Sequence, residues 1–268
     1  MEKVTPRTLS GFMELLPAQQ IRMNRLLAAL RETYELYGFT PLDTPAIEAA
    51  EVLLAKGGGE TEKQIYRFNK GDSDLALRFD LTVPLAKYVA LNRAALSFPF
   101  RRYQIGKVWR GERAQRGRFR EFYQADIDVI GDGKLDIMND AEVPAVMARA
   151  FTALGLTDFT IRINNRKVLG GYFELLGVRD RTTEVLRTID KLEKIGVEKV
   201  CEILKDECGL DDIQIGGALE FVTLSGSDAD KLAFLEERAG ENERLAEGVR
   251  ELRTVIEALP SLGVGKEN

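Results

Sequence analysis

The chain contains no histidine among its 268 residues. That absence excludes metal sites built on imidazole and mechanisms that use a histidine as general acid or base. Its two cysteines, Cys201 and Cys208, are too few for a disulfide framework and have no zinc-type partners, so we predict no metal site. No apolar run approaches the roughly 18 residues of a membrane-spanning helix, and the N-terminus lacks the apolar stretch of a signal peptide. We therefore expect a soluble cytoplasmic protein with no membrane partner.

Charge and size set the next limits. Acidic residues outnumber basic ones by 43 to 38, which gives a net charge of −5. This mild acidity argues against a general polyanion-binding protein but leaves room for a local basic site. A chain of 268 residues, 44% of them hydrophobic, is long enough for one large domain or for two of ordinary size, each with a core.

Apolar spacing divides the chain into a mixed part and a helical part. Residues 18–37 have apolar side chains at helical spacing and predict a helix that ends at Gly38. Thr82 is predicted to cap a later helix, because Pro84 follows it in what would be the first turn. Beyond residue 176 the pattern is almost wholly helical. Strands are predicted at 75–79, 101–110, 119–130 and 159–163.

We therefore predict an α+β protein with three parts. Residues 1–176 would form an antiparallel sheet flanked by helices, residues 177–260 a small helical module, and residues 261–268 a truncated end. The three glycines Gly57–Gly59 suggest a phosphate-binding loop. No Gly-Lys-Ser/Thr follows them, so a plain flexible turn is the better interpretation.

Most of the candidate chemistry lies in one stretch, GKVWRGERAQRGRFREFYQADIDVIG, at residues 106–131. Basic side chains fill its first half, and carboxylates follow in the second. Side chains of a strand point alternately to opposite faces, so residues 118–130 would place their even-numbered members on one face. The odd-numbered members are mostly apolar and predict the core face. The even-numbered members are Arg118, Arg120, Phe122, Gln124, Asp126 and Asp128.

Two features favour ligand binding by the even face. Phe122 lies among arginines, where it would suit a planar base as a stacking platform. Cations come first along the strand and anions later, which would match a ligand with a phosphate end and an ammonium end. Two plainer interpretations stay open: a half-solvated strand whose polar face has no further role, and a basic turn at 113–118 that touches RNA.

The same stretch is similar to motif 2 of the class II aminoacyl-tRNA synthetases, and specifically of the histidyl-tRNA synthetase family. In that motif a strand ends in Phe/Trp-Arg-x-Glu, and a loop then leads into Gly-Arg-x-Arg-x-Phe-x-Gln. LRFDLTVPLAKYVA resembles the family's segment that carries the amino-acid-binding acid and threonine. GFMELLPAQQIRMNRLL and TPAIE resemble its N-terminal segment and motif 1, and IRINNRKVLGGYFELLG with IDKLEKIG resembles the start of its insertion domain. The resemblance covers nearly the whole chain.

The resemblance implies a fold and a reaction. The fold is a six-stranded antiparallel sheet flanked by helices, with a helical insertion and a homodimer formed through motif 1. The reaction is that of an aminoacyl-tRNA ligase, which makes histidyl-adenylate from histidine and ATP, with Mg²⁺ accompanying the ATP. The histidyl group is then transferred to tRNA(His).

Residue by residue, the resemblance also implies a site. Arg110 would be the catalytic contact to the α-phosphate, Glu112 would contact adenine or the acceptor end, and Phe122 would stack on the base. Arg118 and Arg120 would lie near the phosphates. The residues that would bind ATP are thus Arg110, Glu112, Arg118, Arg120 and Phe122. The substrate's amino group and imidazole would be held by Asp80, Thr82, Gln124 and Asp128.

Adenylation suits a chain without histidine. The attacking carboxylate is already charged, so the reaction needs no general base, and the site must supply orientation and positive charge instead. Asp80 and Asp128 depart from the common bacterial pattern, which has glutamate at both positions. The family's histidine signature, motif 3 and anticodon-binding domain have no match here, which predicts an N-terminal catalytic fragment with almost no activity alone.

Two other functions stay open. One is a non-catalytic relative that serves as regulatory subunit of the ATP phosphoribosyltransferase of histidine biosynthesis. The other is a class II synthetase for another amino acid, against which LRFDLTVP and IDKLEKIG weigh. Against the regulatory subunit weighs the presence of Arg110, Glu112, Arg118, Gln124 and Asp128.

Overall fold

The computed structural model describes residues 3–55 and 60–265 of the chain. These residues divide into two compact units, one built from residues up to 139 together with 143–159, and the other from 140–142 and the residues from 160 onward. The glycines Gly57–Gly59 lie outside the described residues. The domain boundary expected after residue 176 stays a prediction.

The first unit mixes helices with short strands, which confirms the α+β class. The helix expected at 18–37 is present almost to the residue. It begins with a proline, which is tolerated in the first turn because an N–H there would have no partner within the helix. It ends before Gly38, whose φ is +74°. In chain order the elements are α1 (Pro17–Leu36), β1 (Thr40–Pro41), β2 (Ile47–Ala49), α2 (Ala50–Leu53), α3 (Glu60–Gln64), β3 (Arg67–Lys70), β4 (Ser73–Leu77), α4 (Thr82–Asn92), β5 (Phe100–Trp109), β6 (Glu121–Ile130) and α5 (Met138–Ala153).

The strands form two small sheets. In one, β1 runs parallel to β5, and β5 pairs with β6 as a long antiparallel hairpin from Phe100 opposite Ile130 to Trp109 opposite Glu121. In the other, β4 lies between β2 and β3 and is antiparallel to both. The hairpin predicted at residues 101–130 is therefore confirmed.

The odd-numbered face of the hairpin packs on the core at Ile127 and Val129, as its alternation predicts, but Tyr123 and Ala125 of the same face are exposed. Tyr103 of β5 packs with Tyr34 of α1 and with Val146 of α5, and Ile127 and Val129 of β6 lie against the same cluster. Each apolar side chain removed from water in this way contributes about 1.5–3 kcal/mol. This packing fixes the register of the hairpin, because a slip of one residue would exchange its two faces.

The second unit is all helical. Four of its helices begin at a polar capping side chain that accepts a hydrogen bond from the first turn, at Asn165, Asp211, Ser227 and Asn242. Its core contains Phe173, which is fully buried. The helices are α6 (Arg166–Leu175), α7 (Thr182–Ile189), α8 (Leu192–Ile195), α9 (Val197–Asp206), α10 (Asp212–Val222), α11 (Asp228–Ala239) and α12 (Glu243–Ala258).

Helices α6 and α12 cross at glycines. A Cβ placed on Gly171 of α6 would lie 2.5 Å from the backbone nitrogen of Leu245, and one placed on Gly248 of α12 would lie 2.5 Å from that of Val168. The backbones of the two helices are therefore in direct contact at this crossing, because glycine has no side chain to hold them apart.

Two local predictions are wrong. Thr82 does not cap α4: it is the first helical residue, and its N–H donates to the Asp80 carboxylate at 3.0 Å. The structure assigns no strand to residues 159–163, because a strand needs a hydrogen-bonded neighbour and none of the described strands pairs with this segment. Phe159 instead packs edge-on against Phe151 of α5, with ring centroids 5.1 Å apart.

Candidate active site

The register of the hairpin places polar side chains of both strands on one face. Gln124 lies opposite Gly106, Asp126 opposite Gln104, and Asp128 opposite Arg102. Directly opposite residues of an antiparallel pair point to the same side. We refer to the face formed by Arg102, Gln104, Phe122, Gln124, Asp126 and Asp128 as the site face.

Arg110 follows β5 directly and lies over one end of the site face. Its guanidinium carbon is 4.5 Å from the ring centroid of Phe79 and 5.1 Å from that of Phe122. Its Nε donates to the Phe79 carbonyl at 3.2 Å, and its Nη2 donates to Gln124 Oε1 at 3.3 Å. Two rings and two acceptors thus fix the orientation of a half-buried cation.

The Gln124 amide connects this cation to the carboxylates. Its Oε1 accepts from Arg110, and its Nε2 donates to both oxygens of Asp126 at 3.3 and 3.4 Å. The acceptor and donor ends of the amide are therefore both defined by their partners. Arg110, Gln124 and Asp126 form one continuous polar chain along the site face.

Asp128 faces a buried cation. Its Oδ2 lies 2.6 Å from Arg102 Nη2, and Arg102 has none of its surface exposed. Burial raises the pKa of the Asp126 and Asp128 carboxyls, and the positive charge of Arg102 opposes that effect on both. Asp128 and Asp80 raise the pKa of Asp126 further by like-charge repulsion.

Several buried polar atoms of the site face have no hydrogen-bond partner. Among the described residues, the buried side-chain atoms of this kind are Nε and Nη1 of Arg102, Oε1 of Gln104 and Oδ2 of Asp128. The short contact between Arg102 and Asp128 is an ion pair whose geometry does not satisfy Oδ2 as a hydrogen-bond acceptor. Leaving such a group unsatisfied costs about 1–3 kcal/mol, so a cluster of them marks a place where a polar ligand or water would bind.

Asp80 lies in the turn between β4 and α4. Its Oδ1 accepts the backbone N–H groups of Thr82 and Val83 at 3.0 and 2.9 Å, which caps the helix. Thr82 itself is exposed. The turn lies near the site face, because Arg110 contacts Phe79 and Arg102 Nη2 donates to the Leu81 carbonyl at 3.4 Å.

Arg78 anchors the Asp80 turn to the hairpin. Its buried guanidinium donates from Nε to the Lys107 carbonyl at 2.8 Å and from Nη1 to the Thr44 carbonyl at 2.5 Å. It passes directly over Gly106, where an added Cβ would lie 2.5 Å from Arg78 Nη2. Glycine at position 106 thus allows the anchor to lie flat on the sheet.

The basic loop between β5 and β6 closes with a tight turn. Gln115 and Arg118 exchange backbone hydrogen bonds of 3.1 and 2.9 Å, and Gly117 between them has φ +76°. Glu112 pairs with Arg118 at 3.3 Å. Arg120 donates to the backbone carbonyls of Glu112 and Ser10 at 2.9 and 3.3 Å, so it holds the loop against the N-terminal segment.

The structure thus brings some expected site residues together and keeps others apart. Arg110, Phe122 and Gln124 are in direct contact, and Asp128 follows along the same face. Glu112, Arg118 and Arg120 form a separate group in the loop. Arg102, Gln104, Arg78 and Phe79 were not predicted, and Asp126 was predicted only as a carboxylate of the even face. The alternation of β5, read in the same way as that of β6, would have placed Arg102 and Gln104 on this face.

Comparison with known proteins identifies the family. Residues 11–267 match the family model described as histidyl-tRNA synthetase. The chain belongs to the histidyl-tRNA synthetase family. A histidine--tRNA ligase from Clostridium tetani is 56% identical over 265 residues, which cover 99% of this chain and 60% of that protein. The chain thus spans about 60% of the length of the curated family members it matches.

Solved structures agree with this assignment. The crystal structure of histidyl-tRNA synthetase from Nostoc sp. PCC 7120 superposes with a TM-score of 0.89 at 42% identity, covering 99% of this chain and 60% of that one. An ATP phosphoribosyltransferase regulatory subunit/histidyl-tRNA synthetase from Bacillus halodurans C superposes with a TM-score of 0.79 at 24% identity, covering 98% and 66%. The second likeness shows a shared fold only.

The described residues contain neither a membrane-spanning helix nor a metal-binding cluster. No helix within residues 3–55 and 60–265 is long and apolar enough to cross a membrane. The same residues hold no group of three or more cysteines and carboxylates placed to bind a metal ion.

Proposed function

We propose that the complete gene product is a histidine--tRNA ligase and that this chain carries its ATP- and histidine-binding hairpin. The enzyme would join histidine to ATP as histidyl-adenylate and then transfer the histidyl group to tRNA(His). Family membership and the 56% identity to a histidine--tRNA ligase support the proposal. A cytoplasmic location and a homodimer formed through motif 1 are part of the same proposal.

The observation that carries the proposal is the position of the Arg110 guanidinium. It lies between two aromatic rings and donates to Gln124, at the junction of a basic loop and a row of carboxylates. A phosphate placed there would have a fixed cation beside it. The base would stack on Phe122, and the amino acid would extend toward Asp126 and Asp128.

Adenylation needs little more than this arrangement. The histidine carboxylate attacks the α-phosphorus of ATP and displaces pyrophosphate, so negative charge grows on the phosphoryl oxygens. Arg110 would stabilise that charge, and its orientation requires no rearrangement during the reaction. ATP would enter as its magnesium complex, in which the ion offsets phosphate charge. Glu112, Arg118 and Arg120 would order the loop around the nucleotide, as their contacts to one another indicate.

The charges at the other end suit an amino acid. Asp80, Asp126 and Asp128 carry three negative charges when ionised, whereas Arg102 and Arg110 carry two positive ones. The balance of one negative charge favours the histidine α-ammonium group. Asp128 would accept a hydrogen bond from the imidazole, Gln124 would accept or donate one there, and Thr82, exposed beside Asp80, would contact the amino group.

The decisive experiment is ATP–pyrophosphate exchange by the complete gene product with each amino acid in turn. We expect exchange that depends on histidine and does not occur with the other amino acids. Histidine binding without exchange would instead favour the regulatory subunit of ATP phosphoribosyltransferase. Exchange with a different amino acid would identify another class II synthetase.

Replacing Phe122 by alanine tests the nucleotide end. Stacking of a base on an aromatic side chain is worth about 1–3 kcal/mol, so we expect KM for ATP to rise about tenfold or more, with KM for histidine nearly unchanged. The matched control is Tyr123→Ala, since Tyr123 is the next residue and points to the opposite face. An equal rise in KM for ATP in both variants would contradict the assignment of Phe122.

A further inference from the structure

Arg102 is the largest fully buried side chain among the described residues. It is fully buried, yet only its Nη2 has partners: Asp128 Oδ2 at 2.6 Å and the Leu81 carbonyl at 3.4 Å. Its Nε and Nη1 have none. A guanidinium removed from water with two of its nitrogens unpaired contributes little to folding, so packing does not account for its presence.

The contacts of Arg102 point to the amino-acid end of the site. Asp128 is the last carboxylate of the site face, and Leu81 lies between Asp80 and Thr82. One guanidinium therefore touches β6 and the turn before α4, the two segments that would hold histidine. No described contact joins Arg102 to the nucleotide end around Arg110 and Phe122.

We propose that Arg102 is a positioning residue for histidine recognition, which holds Asp128 as an oriented carboxylate and acts on the substrate only through it. The inference rests on the proposed function and extends it to a residue with no assigned role. Asp128 would then accept an N–H of the substrate imidazole. Its partner Arg102 would compensate for the shorter aspartate side chain by fixing where the carboxylate lies.

Loss of the Arg102 charge would produce a pH dependence of histidine binding that a purely structural role would not produce. Asp126 of β6 is the further charged group that acts on Arg102, and Asp126 is in turn affected by Asp80 of the turn before α4 and raises the pKa of Tyr34 of α1. Burial raises the pKa of the Asp128 carboxyl and the positive charge of Arg102 lowers it, so Arg102 is the cation that favours ionisation of Asp128. Without Arg102, burial would leave the carboxyl protonated to a higher pH.

The direction of the pH effect follows. A variant without the cation has a higher pKa at Asp128, so at low pH more of the protein carries a neutral Asp128 that binds histidine poorly. Each unit by which that pKa exceeds the assay pH reduces the ionised fraction about tenfold. The ratio of KM for histidine in variant and natural protein should therefore be largest near pH 6.5 and fall as pH rises to 8.5. Titration of histidine itself cancels in this ratio.

The test uses Arg102→Gln and Arg102→Lys in the complete gene product, with exchange as the assay. Glutamine keeps a donor for the Leu81 carbonyl but loses the charge, whereas lysine keeps the charge. We expect Arg102→Gln to raise KM for histidine about tenfold at pH 7, with the pH trend above, and KM for ATP to change less than twofold. Arg102→Lys should recover most of the loss, and Asp128→Asn should abolish the pH trend in the Arg102→Gln background.

Three outcomes would overturn the inference. Equal losses in the glutamine and lysine variants would show that charge is not the cause. Parallel increases in KM for histidine and ATP, with a lower unfolding temperature and no pH trend, would show a structural role alone. A pH trend that persists with Asp128→Asn would move the effect to another group. If the natural protein shows no histidine-dependent exchange, the proposed function itself fails, which is a separate result.

Discussion

Replacing Arg110 by alanine is expected to lower histidine-dependent ATP–pyrophosphate exchange about 10²–10³-fold, mainly through kcat. The guanidinium is held by two rings and two acceptors, so under the proposed function it would already be oriented for the charge that develops on the α-phosphate. Removing a preorganised group of this kind affects the transition state more than the bound substrates. Exchange kinetics with ATP and histidine varied separately would measure both effects.

A matched control is Arg250→Ala in α12, since Arg250 is an exposed arginine of the second unit. It should exchange pyrophosphate at the natural rate. Arg110→Lys separates charge from geometry, because lysine keeps the charge but lacks the planar fork that reaches both Phe79 and Gln124. Full activity of Arg110→Ala would remove Arg110 from the catalytic role.

The second large effect is on stability. Gly248→Ala would place a Cβ within 2.5–2.9 Å of backbone and side-chain atoms of Lys167 and Val168, so the two helices must separate. We expect the free energy of unfolding to fall by about 1–3 kcal/mol or more, as in other overpacked cores. Urea unfolding followed by circular dichroism would measure it.

Gly216→Ala is the matched control for that variant. Gly216 also lies inside a helix of the second unit, but an added Cβ there would meet nothing within 4 Å. The same chemical change should therefore stabilise the protein by about 0.5–1 kcal/mol, because alanine restricts the unfolded chain more than glycine does. Similar shifts of the same sign in both variants would show that the helix crossing is not the cause.

The sequence predicted the elements whose signals are local. The period-2 alternation of residues 118–130 predicted both the strand and its two faces, and the odd face packs into the core at Ile127 and Val129, although Tyr123 and Ala125 are exposed. The helix at 18–37 was equally well defined, because apolar spacing, a proline and a glycine all agree. Where local preference and tertiary packing point the same way, a single sequence suffices.

The failures have two kinds of cause, a local one for Thr82 and a tertiary one for the others. Thr82 has the chemistry of a cap, but Asp80 lies closer to the free N–H groups and its carboxylate accepts two of them. Residues 159–163 have strand-like side chains, but strand formation depends on a partner that the segment itself cannot supply. The contact between Arg102 and Asp128 was not predicted, because the two residues are 26 positions apart and their pairing depends on the register of β5 with β6.

The site residues themselves were predicted in part. Alternation placed Phe122, Gln124 and Asp128 on one face, and the structure puts Arg110 in contact with the first two. Family resemblance added Asp80 and Thr82, whose roles stay predictions. Nothing local in the sequence indicates that Arg120 has its guanidinium committed to backbone carbonyls, because those contacts depend on how the N-terminal segment folds back.

Arg78 bears on how such a site would choose its ligand. Its guanidinium donates to the backbone carbonyls of Thr44 and Lys107. The turn with Phe79 and Asp80 therefore cannot move away from the hairpin without breaking these hydrogen bonds. Gly106 has no side chain, so the Arg78 guanidinium can lie directly against the hairpin backbone at this position. These contacts exist without a ligand, so under the proposed function the turn and the hairpin would be preorganised and amino acids would be distinguished without closure of the site around the substrate.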